Sequence, residues 1–272
     1  MFDYDQTQPP PVRVLASGAA RIADIRYDSP VDGAPIRAYL VLPVAAEAPA
    51  PAVLYAHWYD THAPDSNRAQ FIAEAVTLAG EGVVSMLVET MWSLVPWFTH
   101  FRKLDTDYEA SVKQVIDLRR ALEVLLSQPE VDPERVAFVG HDFGAMYGAL
   151  LAGVEPRLKG CALIAGTPRF PDWYLLGTKL EDDAITAYKA HMQPLDPIEH
   201  IGKLSMPLLF QFGTQDRFIP EAAAREFYEA AHEPKQFRLY EGAEHDMSAA
   251  PIQVDRLAFL REVLGVSQPA AA

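Results

Sequence analysis

A pentapeptide from Gly140 to Gly144, with the sequence Gly-His-Asp-Phe-Gly, carries the strongest chemical signal in the chain. It lies between an apolar, strand-like run and a stretch of small and apolar residues that suits a buried helix. A sharp turn from strand to helix needs small flanking residues, because its middle residue is held in a strained conformation. Such a turn presents the middle residue, Asp142, at the carboxyl edge of a sheet. Asp142 is therefore the candidate nucleophile.

Two further segments supply the partners that a nucleophile requires. Asp216 follows a strand-like run and precedes a helix-like one, and His245 lies in the loop after the last predicted strand. The chain order of nucleophile, acid and histidine predicts that Asp216 orients His245 and that His245 acts as the base. The loop that begins with His57 is expected to form an oxyanion hole from the backbone amides of Trp58 and Phe143.

These residues need a scaffold of alternating strands and helices to hold them. Short apolar or alternating runs predict strands at 22–28, 35–42, 52–56, 83–88, 135–139, 160–164, 208–212 and 236–240. Runs with helical spacing predict helices at 66–81, 107–127, 145–153, 181–191, 220–231 and 252–264. This alternation predicts an α/β fold in which a mostly parallel central sheet is flanked by helices.

The chain is predicted to form a single domain over 21–266, after an N-terminal arm at 1–20 and before a disordered tail at 267–272. One connection, 165–206, is longer than a single crossover helix requires. Long insertions in compact domains are often functional lids, so we predict a short cap insertion there.

The composition of the chain excludes some classes of binding partner. The formal net charge is −14, which excludes a nucleic-acid partner, because nucleic-acid binding needs clustered cations. No run of 18 or more apolar residues is present, so we expect no membrane span. The acidic N-terminus lacks the pattern of a signal peptide, and the protein is predicted to be cytoplasmic. A homodimer is left open by the sequence.

No cofactor and no metal are expected. The one cysteine, Cys161, lies in an apolar run and has no second thiol with which to pair. The spacing of His57, Asp60, His62 and Asp65 matches no pattern of metal ligands, and these are interpreted as loop residues.

Taken together, the elbow around Asp142, the Gly-Thr-Gln-Asp segment ending at Asp216 and the Glu-His segment ending at His245 resemble the α/β-hydrolase superfamily over about residues 20–265. The arrangement and the small cap are similar to the dienelactone-hydrolase-related branch. The Gly-His-Asp-aromatic-Gly elbow is similar to that of epoxide hydrolases and haloalkane dehalogenases. In those families the elbow Asp is the nucleophile, the acid orients the histidine and the histidine activates water. The resemblance implies these roles for the three residues here.

The type of nucleophile indicates the type of substrate. Attack of a carboxylate on an ester would give a mixed anhydride with little driving force, whereas attack on a saturated carbon with a good leaving group gives an ordinary alkyl ester. The sequence therefore predicts a hydrolase that opens an epoxide or displaces a halide. Epoxide opening needs an acid, for which Tyr174 and Tyr188 in the cap are the candidates and Tyr59 is a weaker one.

Halide release needs N–H donors. The dehalogenases that the chain resembles typically place Trp directly after the nucleophile, but Phe143 stands there in this chain, so the epoxide is preferred. Trp58 and Trp92 could supply the missing donor. The bulky apolar residues of the surrounding loops predict a pocket for an apolar small molecule, with Tyr59, Trp92, Tyr174 and Tyr188 as substrate-binding residues.

Two alternatives stay open. One is a dienelactone-hydrolase-like esterase, in which Asp142 acts as a base or supports direct attack by water. The other is a non-catalytic protein that uses the pocket to bind a ligand or partner, in which Asp142 replaces the serine nucleophile that stands in the middle of a G-x-S-x-G elbow. The fold alone does not distinguish them.

Overall fold

A computed structural model describes residues 2, 12–17, 20–44, 49–63 and 66–267 of the chain. Its strands form one nine-stranded sheet in the order β1-β2-β3-β5-β4-β6-β7-β8-β9. The bounds are β1 Val12–Ser17, β2 Ala20–Asp28, β3 Pro35–Pro43, β4 Ala50–Ala56, β5 Val84–Val88, β6 Val131–His141, β7 Leu158–Ile164, β8 Leu208–Gly213 and β9 Lys235–Tyr240. The pairs from β1 to β3, and β3 with β5, are antiparallel, whereas β5 to β9 pair in parallel. The predicted α/β architecture with a mostly parallel sheet is confirmed.

Helices cover the sheet. Their bounds are α1 Ile72–Ala79, α2 Asp107–Leu126, α3 Phe143–Ala152, α4 Pro171–Tyr174, α5 Asp182–Met192, α6 Pro197–Ile201, α7 Glu221–Glu229 and α8 Ala250–Leu264. Helix α1 packs near α8, and α2 packs near α3. Every residue of β4 and β5 is buried, because helices shield both faces of the parallel part of the sheet. The continuous apolar runs of these strands arise from this double burial.

The N-terminal segment differs from its prediction. Within the segment expected to be an arm, Val12–Ser17 forms β1 and pairs with β2 in antiparallel register. Its weak side-chain pattern gave no sign of a strand, since edge pairing rests on backbone hydrogen bonds that composition does not report. Of the tail predicted at 267–272, residues 268–272 lie outside the described residues.

The connection between β7 and β8, where we predicted a cap, holds α4, α5 and α6. A buried ion pair ties this segment to the body. The Arg102 guanidinium donates to both carboxylate oxygens of Asp107, at 2.8 and 2.6 Å, and to the carbonyl oxygen of Tyr174 at 2.7 Å. The hydroxyl of Tyr188, on α5, donates to Asp107 Oδ2 at 2.5 Å. We call this set of four residues the cap clasp.

Candidate active site

The turn between β6 and α3 has the strained geometry that the pentapeptide predicted. Asp142 has φ 55° and ψ −118°, in a region that residues other than glycine seldom adopt. A Cβ atom at Gly140 would lie 2.2 Å from the carbonyl oxygen of Gly144, and one at Gly144 would lie 2.2 Å from the carbonyl oxygen of Ala56. Both glycines are therefore required by the close approach of backbone segments that surround the turn.

The three predicted catalytic residues lie together at the carboxyl end of the parallel strands. His245 Nδ1 donates to Asp216 Oδ2 at 2.7 Å. The other oxygen of Asp216 accepts from the amides of Phe218 and Ile219, at 2.8 and 3.0 Å, which holds the carboxylate in place. His245 Nε2 faces Asp142 Oδ1 across 3.9 Å. His245 therefore lies between Asp216 and the buried carboxylate of Asp142, as the order of these residues in the chain predicted.

The amide that contacts Asp142 differs from the one predicted for the oxyanion hole. The amide of Tyr59 donates to Asp142 Oδ2 at 3.1 Å. The prediction of Trp58 was wrong, because its amide turns away and donates to Gln70 Oε1 at 2.9 Å. Phe143 begins α3, so its amide is among those for which the helix itself provides no acceptor, and it keeps its place as a hole candidate.

Gln70 also joins the hole loop to the loop of the base, a link that no sequence signal predicted. His141 Nε2 lies 2.8 Å from the carbonyl oxygen of His245 and must donate to it, because a carbonyl oxygen only accepts. His141 Nδ1 then accepts from Gln70 Nε2 at 2.6 Å. Trp58 stacks on the His141 ring with planes 3° apart. His141 is therefore a positioning residue for His245.

The electrostatics of the site couple His245 to Asp142. Burial alone would lower the pKa of His245, but the carboxylates of Asp142 and Asp216 outweigh it and raise that pKa to about 9. Burial raises the pKa of Asp142 above its ordinary value, against the opposing effects of His245 and the Tyr59 amide. Burial, and then the nearby charge of His245, hold the pKa of His141 well below its usual range, so that ring stays neutral.

A cavity of about 520 Å³ opens over His245. This volume suits a small organic molecule. The cavity is lined by Trp58, Tyr59, Asp60, Thr61, His62, Phe98, Trp173, Leu176, Gln215, Arg217, Phe218, Glu244, His245 and Asp246. The walls are aromatic, as the bulky loops predicted, whereas the mouth carries several charged side chains.

Of the four predicted substrate-binding residues, Tyr59 alone lines this cavity. Trp92 is fully buried beneath the hole loop, where its Nε1 donates to the carbonyl oxygen of His57 at 3.0 Å. The hydroxyl of Tyr174 is buried against that of Tyr147 at 2.6 Å, and the hydroxyl of Tyr188 lies in the cap clasp. The prediction that these two tyrosines reach the substrate was wrong, because polar groups of the body engage both hydroxyls.

Three buried polar atoms around the cavity have no hydrogen-bond partner among the described residues: Asp142 Oδ1, His245 Nε2 and Trp173 Nε1. A buried polar atom left without a partner costs about 1–3 kcal/mol, so a cluster of them indicates a place for a ligand. The Trp173 ring lies 5.4 Å from that of His245 and 5.6 Å from that of Phe143.

Within the described ranges, no group of three or more His, Cys, Asp or Glu side chains is arranged to hold a metal ion. In the same part of the chain, no helix has both the length and the apolar character needed to cross a membrane.

The chain is similar to known proteins over much of its length. Residues 98–251, which include all three catalytic candidates, match the dienelactone hydrolase family. The chain is 27% identical over 169 residues to human acylamino-acid-releasing enzyme, covering 56% of this chain and 23% of that enzyme, so it spans about a quarter of that relative.

Among solved structures, an acetyl xylan esterase from Paenibacillus sp. R4 superposes with a TM-score of 0.74 at 18% identity, covering 96% of this chain and 90% of the other. A putative dienelactone hydrolase from Klebsiella pneumoniae gives a TM-score of 0.63 at 19% identity, covering 90% and 98%. These likenesses show the α/β-hydrolase fold. Because the family match extends over more than half of the chain, the protein belongs to the dienelactone hydrolase family.

Proposed function

We propose that this protein is a hydrolase whose Asp142 attacks a saturated carbon and forms an alkyl-enzyme ester. The observation that carries the proposal is that the two oxygens of the Asp142 carboxylate have different surroundings. Oδ2 already accepts from the Tyr59 amide, where the oxyanion of a hydrolysing ester would need a donor. Oδ1 is buried, has no hydrogen-bond partner among the described residues and is free to attack.

The steps balance as follows. Asp142 Oδ1 forms a bond to the substrate carbon while the bond from that carbon to the leaving group breaks, and the leaving group departs as an anion. His245 then takes a proton from water, and the hydroxide adds to the carboxyl carbon of Asp142. The resulting oxyanion on Oδ2 is stabilised by the Tyr59 amide. Collapse expels the alkoxide, which takes the proton from His245 and leaves as the alcohol product. The Asp142 carboxyl group then passes its remaining proton to His245, which restores the carboxylate beside the protonated imidazole.

The raised pKa of His245 means that the histidine can act as a base only in the second step. In the free enzyme at neutral pH the imidazole is protonated beside the ionised Asp142, so it cannot accept a proton from water. Alkylation converts Asp142 into a neutral ester and removes one of the two charges that hold the proton. His245 thereby becomes a base only after the ester that it must hydrolyse has formed.

The leaving group is proposed to be a halide or a similar anion rather than an epoxide oxygen. An epoxide oxygen becomes an alkoxide and needs an acid, whereas Tyr174 and Tyr188 direct their hydroxyls into the body and the cap clasp. The hydroxyl of Tyr59 donates to the carbonyl oxygen of Val95. A departing anion needs only a donor, and the partnerless Nε1 of Trp173 supports that role.

A dienelactone-hydrolase-like esterase is the second candidate, and the family match favours it. In that reaction Asp142 would help a water molecule to attack the ester carbonyl directly, and no bond to the enzyme would form. The two candidates therefore differ in where the oxygen of water goes.

The experiment that tests the proposal is a trap. The variant His245→Gln should accept the alkyl group but hydrolyse the ester slowly, and incubation with pooled haloalkanes and epoxides is followed by intact mass. We expect one adduct per chain, mapping to Asp142, with the mass of an alkyl group from a haloalkane. The double variant Asp142→Asn with His245→Gln is the matched control and should gain nothing.

A single turnover of the native protein in water labelled with heavy oxygen distinguishes the second candidate. Under the proposal, the label enters the Asp142 carboxylate. No adduct on the trap variant, together with ester cleavage whose label appears only in the product, refutes the proposal in favour of the esterase. Neither adduct nor cleavage indicates a binding protein.

A further inference from the structure

The mouth of the catalytic cavity is negatively charged. Three carboxylates line it, those of Asp60, Glu244 and Asp246, and Arg217 is the only permanent cation among the lining residues. The Glu244 carboxylate has no hydrogen-bond or ion-pair partner among the described residues, and that of Asp246 accepts only from the Ser248 amide, at 3.3 Å. Charges left unneutralised around a concave opening raise the local concentration of cations.

Aromatic rings form the walls below this mouth. The Trp173 and Phe218 ring centroids lie 5.1 Å apart, and those of Tyr59 and Phe98 lie 6.1 Å apart on the hole-loop side. The face of an aromatic ring attracts a cation that approaches within about 6 Å of its centroid. Aromatic walls with an acidic rim have the chemistry of sites that bind organic cations, because alkylammonium groups are bulky, weakly hydrated and positively charged.

His245 lines the cavity, and its Nε2 faces Asp142 Oδ1 across 3.9 Å, which indicates that a ligand belongs beside these groups. His245 is 7% exposed and Asp142 is 1% exposed, and His245 Nε2 and Asp142 Oδ1 lack partners among the described residues. The acidic rim therefore surrounds an opening above His245, which is in turn adjacent to the buried Asp142 carboxylate, rather than an ordinary solvated surface.

We propose that the substrate is an organic cation, in which an alkylammonium group rests between the aromatic walls and the acidic rim while the reactive carbon reaches Asp142. This inference rests on the proposed function in that it takes this cavity to be the substrate site. Arg217 is the counter-argument, since a free guanidinium recognises carboxylates. Its own contact is with an aromatic ring, at 4.9 Å from the Phe218 centroid, and three carboxylates oppose an incoming anion.

The test measures binding of unreactive ligands, so that it is independent of whether Asp142 is a nucleophile. Choline, its uncharged tert-butyl analogue and trimethylacetate are titrated into the native protein by calorimetry. We expect choline to bind at least about tenfold tighter than the uncharged analogue, and the preference to weaken between about 20 mM and about 500 mM salt.

Removal of the rim charges supplies the variant and its control. The rim variant combines Asp60→Asn, Glu244→Gln and Asp246→Asn. Its preference for choline should fall to about threefold or less, while its affinity for the uncharged analogue stays the same. The control removes three exposed carboxylates that do not line the cavity, by Asp105→Asn, Glu229→Gln and Glu262→Gln, and should retain the preference.

Each other outcome overturns the inference. Equal binding of choline and its analogue, no choline binding up to about 100 mM, or equal loss in both triple variants shows that the rim does not select cations. Tighter binding of trimethylacetate shows instead that the cations of the cavity, Arg217 and protonated His245, select anions. A protein that binds choline but never forms the trapped ester retains this inference and loses the proposed reaction, and the reverse pattern loses the inference alone.

Discussion

Replacing Asp142 by asparagine isolates the electrostatic link between the nucleophile and the base. Asparagine has nearly the same shape as the carboxylate but no charge, as does the ester that alkylation would produce. If the charge of Asp142 helps to hold a proton on His245, then Asp142→Asn should lower the pKa of His245. The variant thus mimics the electrostatic state in which His245 must act as a base.

The size of the effect follows from the distance between the two groups. His245 Nε2 and Asp142 Oδ1 are 3.9 Å apart. With an effective dielectric constant of about 20, unit charges at such a separation interact by about 4 kcal/mol, which corresponds to a change of about 3 in pKa. The carboxylate shares its charge between two oxygens, and only one of them is this close. We therefore expect the pKa of His245, which is raised to about 9 in the native protein, to fall by about 2.

The assay is an NMR titration of ring-labelled histidine, with the His245 signal assigned from the variant His245→Gln. The matched control is Asp246→Asn, which removes an exposed carboxylate next to His245 in the chain. Solvent screens that charge, so its removal should lower the pKa by no more than about 0.5.

The reasoning is refuted if His245 titrates within about 0.5 of its native value in Asp142→Asn. In that case the two groups would not be coupled, and alkylation could not convert the histidine from an acid into a base. A fall of similar size in Asp246→Asn would also refute it, because the effect would then report net charge rather than the contact.

Three further predictions concern pH, the cap and the hole. Because only ionised Asp142 attacks and burial raises its pKa, kcat/KM should fall on acidification through a midpoint above the ordinary carboxyl value of 3.8, as measured in a pH–rate profile. Tyr188→Phe removes the hydroxyl that donates to buried Asp107. The free energy of unfolding, measured in urea, should fall by about 2 kcal/mol, while kcat stays within about twofold of the native value. Gln70→Leu removes the hydrogen bonds that Gln70 makes to the Trp58 amide and to His141 Nδ1. This loss should lower kcat at least about tenfold, while the affinity for a neutral ligand stays the same.

Local patterns were sufficient for the parts of the site that lie at the ends of strands. The elbow needs Gly140 and Gly144 because backbone atoms approach them closely, and that demand leaves a visible spacing in the chain. Asp216 and His245 follow β8 and β9, which could be recognised in the sequence from their apolar or alternating runs. Parallel strands bring their carboxyl ends to one edge, so three distant residues could be placed together.

Other parts depend on contacts between side chains that no local pattern reports. The choice of Tyr59 over Trp58 as the hole amide follows from the orientation of one peptide, which is set by a hydrogen bond to Gln70. The hydroxyls of Tyr174 and Tyr188 turn inward because partners in the body accept or share their protons. The sequence shows that the cap contains tyrosines, which made them candidate acids. It does not show where their hydroxyls point.

The elbow has a consequence for how such proteins diversify. The atoms that force glycine at positions 140 and 144 belong to the backbone, at Gly144 and Ala56, and neither contact involves the side chain at position 142. The scaffold therefore fixes where a reactive group stands without prescribing which group it is. Selection can exchange that one side chain, and with it the class of bond that is attacked, while the architecture is inherited unchanged.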